Sequence, residues 1–295
     1  MIVSVRAPAT SANLGPGFDA LGLALALYDE VTVETTDGGL DVTVTGQGAD
    51  VLPRDERHLV VRAMREVFAV LDRAPPGLAV TCHNRIPQAR GLGSSSAAIV
   101  AGVLLARELV DGGRERLDDE AVLRLAARLE GHPDNVAACL RGGATIAWAT
   151  SPGDVQAVRF DPAPAVRPVV FVPAQQALTS AARAVLPESV PHADAAHAAG
   201  RAALLVHALT AAPQWLFDAT EDRLHQPYRA AGIPASTRVL QQLRVAGIPA
   251  VISGAGPSVL ALSPVPADSV TGGGVVRHDL AVDLAGAVVR TGTLG

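Results

Sequence analysis

The first part of the chain alternates apolar and polar residues, which is the pattern of half-buried β-strands. The alternation begins in residues 2–8 and returns in residues 31–34 and 40–45. An Asp-Gly-Gly turn at residues 37–39 separates the last two segments. The pattern therefore predicts three strands, the last two paired as a hairpin.

Helical spacing replaces this alternation further along. Residues 59–71 place apolar side chains three and four positions apart, and charged residues interrupt them on the opposite face, which predicts an amphipathic helix. A strand is predicted over residues 78–82. A glycine- and serine-rich segment, residues 87–98, then leads into an apolar segment of good helix formers, residues 99–110. The sequence thus predicts a glycine/serine loop that opens a buried helix.

A proline-rich segment, residues 161–168, divides the remaining elements and is the best candidate linker. Before it we expect a helix that starts at Asp118 and ends at Glu130, a short helix from Asn135, and strands at 145–148 and 155–160. After it we expect strands at 169–172, 251–252 and 259–262 and helices from 180, over 195–211 and over 237–246. The prediction is an α+β protein with two domains, residues 1–160 and 161–295.

Composition narrows the classes of function. The net charge of −5 offers no basic face for nucleic acid, and the two cysteines are too few for a disulfide framework. No leader segment and no run of apolar residues long enough for a membrane helix is evident, so we expect a cytoplasmic protein. All 24 basic residues are arginine. Without lysine, the chain has neither a Walker A loop nor a Schiff-base mechanism.

The glycine/serine segment is the strongest chemical signal. Gly91 and Gly93 allow close approach of the backbone to a ligand, and the start of the next helix offers free N–H groups to a phosphate. Serine hydroxyls add donors and one metal ligand. The alternative is a simple helix cap with no ligand.

The segment from Pro8 to Gly22 is also rich in glycine. It imitates a dinucleotide fingerprint, but Pro16 lies inside the supposed phosphate turn, so that interpretation fits poorly. Asn13 and Asp19 are better explained as contacts to a small hydroxylated or amino-bearing substrate. The alternative is a turn in which both side chains bind their own backbone.

The segment Glu130-Gly-His-Pro-Asp-Asn135 places a carboxylate beside a tight polar turn. Glu130, a serine hydroxyl and ATP phosphates form a sufficient oxygen set for Mg²⁺, whereas zinc lacks a second His or Cys at ligand spacing. His132 is either a substrate contact or a structural histidine. Arg183 and Arg229 are candidate clamps for a carboxylate. Residues 253–258, Ser-Gly-Ala-Gly-Pro-Ser, favour a structural turn.

Taken in order, these segments resemble the GHMP kinases, a family of small-molecule kinases. Within the family they are most similar to the members that phosphorylate L-homoserine, on the segments Pro-Ala-Thr-Ser-Ala-Asn-Leu-Gly-Pro-Gly-Phe-Asp at 8–19, Arg-Gly-Leu-Gly-Ser-Ser-Ser at 90–96, Glu-Gly-His-Pro-Asp-Asn at 130–135, His-Gln-Pro-Tyr-Arg at 225–229 and Ser-Gly-Ala-Gly-Pro-Ser at 253–258. One position departs from the family, which often carries an asparagine near the adenine where this chain has His58.

The resemblance implies an N-terminal ATP-binding domain resembling ribosomal protein S5 domain 2 and a ferredoxin-like C-terminal domain, with the active site between them. It implies ATP on the loop residues Pro87, Gln88, Ala89, Arg90, Gly91, Leu92, Gly93, Ser94, Ser95, Ser96 and Ala97. Ser95 and Glu130 match the Mg²⁺ ligands. The residues that match homoserine contacts are Asn13, Asp19, His132, Asn135, Arg183 and Arg229, with Asp19 on the amino group and the arginines on the carboxylate.

The resemblance also implies that catalysis depends on positioning and charge stabilisation, for which Asn135 and Arg229 are the expected catalytic residues. Asp134 as a general base stays open, as does a homodimer. Two other functions stay open as well. One is a family member with a different acceptor, such as mevalonate or a sugar, and the other is a non-catalytic sensor with the same fold.

Overall fold

Two β-sheets organise the chain, and helices pack against each of them. The structure is a computed structural model that describes residues 1–151, 154–177, 179–272 and 274–292. Its strands are β1 (Ile2–Ala12), β2 (Leu21–Thr36), β3 (Gly39–Gly46), β4 (Gly77–Asn84), β5 (Ala144–Ser151), β6 (Asp154–Phe160), β7 (Val169–Pro173), β8 (Ala250–Ile252), β9 (Val259–Ala261), β10 (Val275–Asp279) and β11 (Val288–Gly292).

The described residues also contain ten α-helices, most of them in two consecutive groups. They are α1 (Leu59–Leu71), α2 (Ser94–Leu109), α3 (Gly113–Arg116), α4 (Asp119–Glu130), α5 (Asp134–Arg141), α6 (Thr179–Ala184), α7 (His192–Thr210), α8 (Leu216–Ala219), α9 (Gln226–Arg229) and α10 (Pro234–Val245), with short 3₁₀ helices at Pro213–Trp215 and Ala230–Gly232. The predicted helix over residues 59–71 begins and ends where α1 does. Within the described ranges, no helix is long and apolar enough to span a membrane.

The first sheet has the order β11-β1-β2-β4-β3, and β5 joins the start of β2 and pairs with β6. Helices α1, α2, α4 and α5 pack with this sheet or with each other. Gly102 of α2 marks the tightest helix crossing, because a Cβ there would lie 2.4 Å from the carbonyl oxygen of Val60 in α1. The α1–α2 pair therefore depends on a small residue at this position.

The predicted hairpin of β2 and β3 is wrong. Strand β4 lies between them, antiparallel to β2 and parallel to β3. Gly77 begins β4 at a point where a Cβ would lie 2.4 Å from the backbone carbon of Gly38 and 2.3 Å from Thr36 Oγ1. The Asp-Gly-Gly turn thus spreads the two strands apart, and a glycine allows the third strand to enter between them.

The second sheet has the order β10-β7-β9-β8 with antiparallel pairs throughout. Alternate side chains of β7 face opposite sides, as strand geometry requires. Val169 and Phe171 pack in a cluster with α10, whereas Val170 and Val172 join the large core that extends from the first sheet. The two sheets therefore share a continuous apolar core.

The end of the chain returns to the first sheet. Strand β11 pairs antiparallel with β1, from Arg6 opposite Val288 to Ile2 opposite Gly292. The division into residues 1–160 and 161–295 stays a proposal, and it needs a correction for this strand, which belongs to the sheet of the first unit. β11 covers the edge of β1 in this sheet, although it lies at the far end of the chain.

Candidate active site

A cavity of about 350 Å³ lies between the two sheets, where residues of both halves of the chain meet. Most of the residues that the sequence singled out line it. They are Asn13, Asp19, Glu130, His132, Asn135, Arg183, Arg229 and the loop residues Pro87, Gln88, Ala89, Arg90, Gly91, Leu92, Gly93, Ser94 and Ser95. The fold therefore brings together side chains that are far apart in the sequence.

The loop ends at the N-terminus of α2, where Gly93 is the N-cap residue with φ +68°. A Cβ at Gly93 would lie 2.0 Å from Thr10 Oγ1, so only glycine fits both the left-handed backbone and the space. Because glycine has no side chain to cap the helix, the first N–H groups of α2 need another acceptor. An anion in the cavity meets that need.

Three of the predicted loop residues have side chains that are packed or hydrogen-bonded within the protein. Ala97 is buried in the core, and its N–H donates to the Gly93 carbonyl. Ser96 is buried and donates to Glu130. Arg90 donates to the carbonyl oxygens of Pro173, Ala174 and Gln88, so its guanidinium joins the loop to β7 instead of facing a phosphate. Helix periodicity turns Ala97 inward, and backbone carbonyls accept a hydrogen bond from each of the three guanidinium nitrogens of Arg90.

The carboxylate of Glu130 accepts hydrogen bonds from two serine hydroxyls. The Oγ atoms of Ser95 and Ser96 lie 2.6 and 2.9 Å from its Oε1. One carboxylate beside an exposed serine hydroxyl is a set of hard oxygen donors of the kind that Mg²⁺ accepts. Among the described residues, no group of three or more His, Cys, Asp or Glu side chains forms a metal cluster. The residues present thus fit a magnesium ion that takes its remaining ligands from water or phosphate.

A network of hydrogen bonds joins His132, Asp134, Asn135 and Thr10. Asp134 Oδ1 accepts from His132 Nδ1 and from the Asn135 N–H, at 2.9 and 2.7 Å. Asn135 Oδ1 in turn accepts from Thr10 Oγ1 at 2.7 Å. The hydrogen bond to Asp134 raises the pKa of His132, against the effect of burial. This hydrogen-bond network fixes the orientation of both His132 and Asn135 at the cavity wall.

Asp19 and Arg183 form a bidentate ion pair, with N–O distances of 2.9 and 2.5 Å. This pair raises the pKa of Arg183. Asn13 supports the same corner, because its Oδ1 accepts from the Asp19 N–H and its Nδ2 donates to the Gly254 carbonyl. Asn13 and Asp19 both have positive φ, at +68° and +57°. No pattern in the sequence indicated that Asp19 and Arg183 contact each other.

Arg229 is the second arginine at this end, and it is only 6% exposed. Its Nε donates to the Ala182 carbonyl, and burial, followed by the charge of Arg183, lowers its pKa. No carboxylate among the described residues forms a salt bridge with Arg229. Asp19 therefore pairs with Arg183 alone, and the buried guanidinium of Arg229 has no direct carboxylate partner among the described residues.

Phe18 was missed by sequence reasoning. Its ring stacks on His225 with 4.0 Å between centroids and 5° between planes, and the guanidinium carbons of Arg183 and Arg229 lie 5.2 and 5.1 Å from its centroid. Asp222 Oδ1 accepts a hydrogen bond from His225 Nδ1, which orients the His225 ring. An aromatic residue inside a glycine-rich segment, in a chain with only 3% aromatics, is the signal that could have identified it.

The segment at 253–258 does more than form the structural turn that we predicted. Gly254 and Gly256 line the cavity, and the carbonyl of Gly254 accepts from both Asn13 and Arg229. Ser253 Oγ lies 2.5 Å from the Gly91 carbonyl. The segment joins the second sheet to the glycine/serine loop.

Gly91→Ala should destabilise the protein more than strain alone explains. Gly91 has φ +73°, and a Cβ would lie 2.2 Å from the Ser253 carbonyl oxygen. Left-handed strain costs roughly 1–2 kcal/mol, and overpacking adds about 1–3 kcal/mol. Gly247→Ala is the matched control, because its φ of +75° is the same and a Cβ would meet nothing within 4 Å. Denaturant unfolding of both variants checks this, and equal losses of stability would contradict the packing of these two loops.

Proteins of known function are similar to this chain in both sequence and fold. The chain is 56% identical to homoserine kinase of Streptomyces coelicolor, over 97% of this chain and 94% of that protein. It is 57% identical to homoserine kinase of Streptomyces avermitilis, over 97% and 95%. The solved homoserine kinase of Cytophaga hutchinsonii superposes with a TM-score of 0.83 at 27% identity, covering 98% of this chain and 97% of that one.

Family models agree with these relatives. The model described as the GHMP kinases N terminal domain matches residues 58–143, and the model described as GHMP kinases C terminal matches residues 201–271. The predicted α+β class and the two-domain kinase fold are confirmed. This chain belongs to the GHMP kinase family.

Proposed function

We propose that this protein transfers the γ-phosphoryl group of ATP to the side-chain hydroxyl of L-homoserine, a step of threonine biosynthesis. Relatives that are 56–57% identical over nearly the whole chain carry that activity in their names. The observation that carries the proposal is the single cavity that joins an anion-accepting helix start to a cluster of two arginines and one aspartate. The first suits a nucleotide, and the second suits an amino acid.

The nucleotide end uses backbone donors. The loop from Pro87 to Ser95 follows the cavity wall, and the N-terminus of α2 adds the positive end of a helix of 16 residues. These donors replace the lysine of other phosphate-binding loops, which this chain lacks. The β- and γ-phosphates therefore lie at Gly93, Ser94 and Ser95.

Ser95 and Glu130 would hold Mg²⁺ beside these phosphates. When bound, the ion neutralises charge on the transferring group. Glu130 Oε1 accepts from Ser95 and Ser96, so the ion competes with two hydroxyls for this oxygen. Ser96 is buried and stays as the fixed partner that orients the carboxylate.

The end of the cavity that contains Asp19, Arg183 and Arg229 matches an amino acid, which carries both a carboxylate and an ammonium group. Arg229 is buried without a carboxylate partner among the described residues, and Arg183 is paired with Asp19. A substrate carboxylate between the two guanidinium groups balances the second positive charge, and the substrate ammonium then pairs with Asp19. A sugar or another neutral alcohol would supply neither a carboxylate for Arg229 nor an ammonium for Asp19.

Asn135 and His132 direct the hydroxyl toward the phosphate. Because Asn135 Oδ1 accepts from Thr10, its Nδ2 faces the cavity as a donor. Asp134 Oδ1 accepts from His132 Nδ1 and from the Asn135 N–H, and these bonds support a positioning role for Asp134. The acceptor oxygen forms the new bond to phosphorus as the bond to the ADP oxygen breaks, and the hydroxyl proton passes to an oxygen of the transferred phosphoryl group. Positioning and charge stabilisation are sufficient for such a transfer.

Acceptor identity is the test of this proposal. A coupled assay of ADP release across homoserine, mevalonate, galactose and shikimate should give turnover with homoserine. Asp19→Asn should then reduce kcat/KM for homoserine by about tenfold or more, because the ammonium loses a charged partner. For 4-hydroxybutyrate, which lacks the amino group, wild-type activity should be poor and the loss smaller.

Asp279→Asn is the matched control, since Asp279 forms the same bidentate pair with Arg277 outside the cavity. It should leave both acceptors unaffected. Equal losses for both acceptors in Asp19→Asn would remove the amino-acid assignment. Turnover only with one of the other acceptors would replace homoserine by that acceptor.

A further inference from the structure

The ring of Phe18 lines the cavity beside Arg183 and Arg229, and no step of the proposed transfer uses it. The guanidinium carbons of the two arginines lie over this ring, at 5.2 and 5.1 Å from its centroid. These two arginines are the proposed clamp for the acceptor carboxylate. One half-buried aromatic side chain is therefore close to both members of the clamp.

The two guanidinium groups of the clamp carry charges of the same sign. Burial and, after it, the charge of Arg183 lower the pKa of Arg229, so the two groups are close enough to interact. Among the described residues, Asp19 forms a salt bridge with Arg183 alone. Repulsion therefore favours arrangements in which the two arginines lie farther apart, whereas a carboxylate that pairs with both needs them to converge. A group that attracts both arginines would stabilise the converging arrangement.

The face of an aromatic ring carries a negative electrostatic potential and attracts a cation that lies within about 6 Å of the ring centre. Both guanidinium groups meet this condition at Phe18. The attraction increases when the cation is removed from water, as it is for the buried Arg229. Phe18 thus offsets the repulsion between the arginines without adding a second carboxylate, which would compete with the carboxylate of the substrate.

His225 supports the Phe18 ring from outside the cavity. Its imidazole stacks on Phe18 with 4.0 Å between centroids and 5° between planes. The imidazole is fixed in turn, because its Nδ1 is bonded to Asp222 Oδ1 at 3.1 Å. Asp222 is buried and also accepts from the N–H groups of Leu224 and Gln226, which hold its carboxylate in place. The orientation of Phe18 is therefore set by a partner that does not line the cavity.

We propose that Phe18 and His225 are positioning residues of the carboxylate clamp. The Phe18 ring, supported by His225, holds Arg183 and Arg229 at the spacing at which one carboxylate pairs with both. This inference rests on the proposed use of an acceptor that carries a carboxylate. His225 acts only through Phe18, and neither side chain takes part in the making or breaking of bonds. The pair therefore contributes to acceptor affinity and not to the chemical step.

Phe18→Leu tests the role of the ring, because leucine keeps an apolar side chain and removes the aromatic face. Steady-state kinetics should show a KM for homoserine that is raised by about tenfold. The kcat and the KM for ATP should stay close to their wild-type values. Phe18→Tyr keeps the ring and should retain a KM for homoserine near that of the wild type. An equal rise in both variants would show that the aromatic face is not what holds the arginines.

The matched control is Phe217→Leu. Phe217 is also half-buried, and a guanidinium also lies over its ring, that of Arg244 at 4.4 Å from the centroid. Neither of these two residues lines the cavity. Phe217→Leu should therefore leave the KM for homoserine unchanged. An unchanged KM in Phe18→Leu, or an equal rise in the control, would overturn the proposal.

His225→Asn tests the support of the ring, because asparagine keeps a donor for Asp222 and removes the stacked imidazole. The KM for homoserine should rise as it does in Phe18→Leu. The double variant should have a KM no higher than that of Phe18→Leu, since His225 acts through the Phe18 ring. Independent effects that multiply in the double variant would remove His225 from the proposal. Failure of homoserine as an acceptor would already appear in the wild type, whereas failure of positioning would appear only in the variants.

Discussion

Glu130→Gln is expected to lower kcat by about two orders of magnitude or more, while the protein stays folded and still binds nucleotide. Gln keeps an oxygen that can accept from Ser95 and Ser96, so the corner of the site retains its shape. What is lost is the negative charge that would hold Mg²⁺ against the phosphates. Steady-state kinetics at increasing Mg²⁺ should show that a high concentration restores only part of the activity.

The control for this variant lies on the same helix. Glu120 is also on α4, and it pairs with Arg141 away from the cavity. Glu120→Gln should retain nearly the wild-type kcat. Ser95→Ala should show a loss of the same kind as Glu130→Gln. Wild-type turnover in both site variants would remove Ser95 and Glu130 as the proposed metal ligands.

Arg229→Ala is expected to raise KM for homoserine by one to two orders of magnitude, since a lost charged hydrogen bond costs about 1.5–3 kcal/mol. The affinity for ATP should change little, because Arg229 lies with Asp19, Arg183 and Phe18 at the acceptor end. Arg229→Lys should not restore the KM, because an ammonium cannot supply the planar pair of donors.

Loss of a buried arginine can also weaken the fold, so the comparison needs a matched variant. Arg244 is another arginine of the second half that donates to backbone carbonyls, those of Ala250 and Phe217, and lies over an aromatic ring, at 4.4 Å from Phe217. It does not line the cavity. Arg244→Ala should lower the melting temperature and leave the KM for homoserine intact. A drop in ATP affinity in Arg229→Ala would instead move this arginine to the phosphate side.

The carbonyl of Gly254 connects the two ends of the acceptor site. It accepts from Asn13 of the first half of the chain and from Arg229 of the second half. A movement of the 253–258 segment would therefore displace both side chains together. The neighbouring contact between Ser253 and Gly91 extends this connection to the phosphate-facing loop. The 253–258 segment therefore connects the side chains of Asn13 and Arg229 to the glycine/serine loop.

The sequence by itself determined the features that short segments encode. Apolar periodicity defined α1 to the residue, and a glycine/serine segment between strand and helix indicated the phosphate-facing loop. The absence of lysine excluded a Walker A site before any fold was known. Such signals are local, because backbone conformation and helix burial depend on neighbours within a few residues.

The tertiary structure alone decided which distant groups meet. Strand order followed from the entry of β4 between β2 and β3, which no local pattern recorded. The ion pair of Asp19 with Arg183 spans 164 positions, and the hydrogen bond of Thr10 with Asn135 spans 125. The reason is physical: charge balance and hydrogen-bond satisfaction are properties of a packed neighbourhood, and that neighbourhood is assembled from segments that the sequence keeps apart.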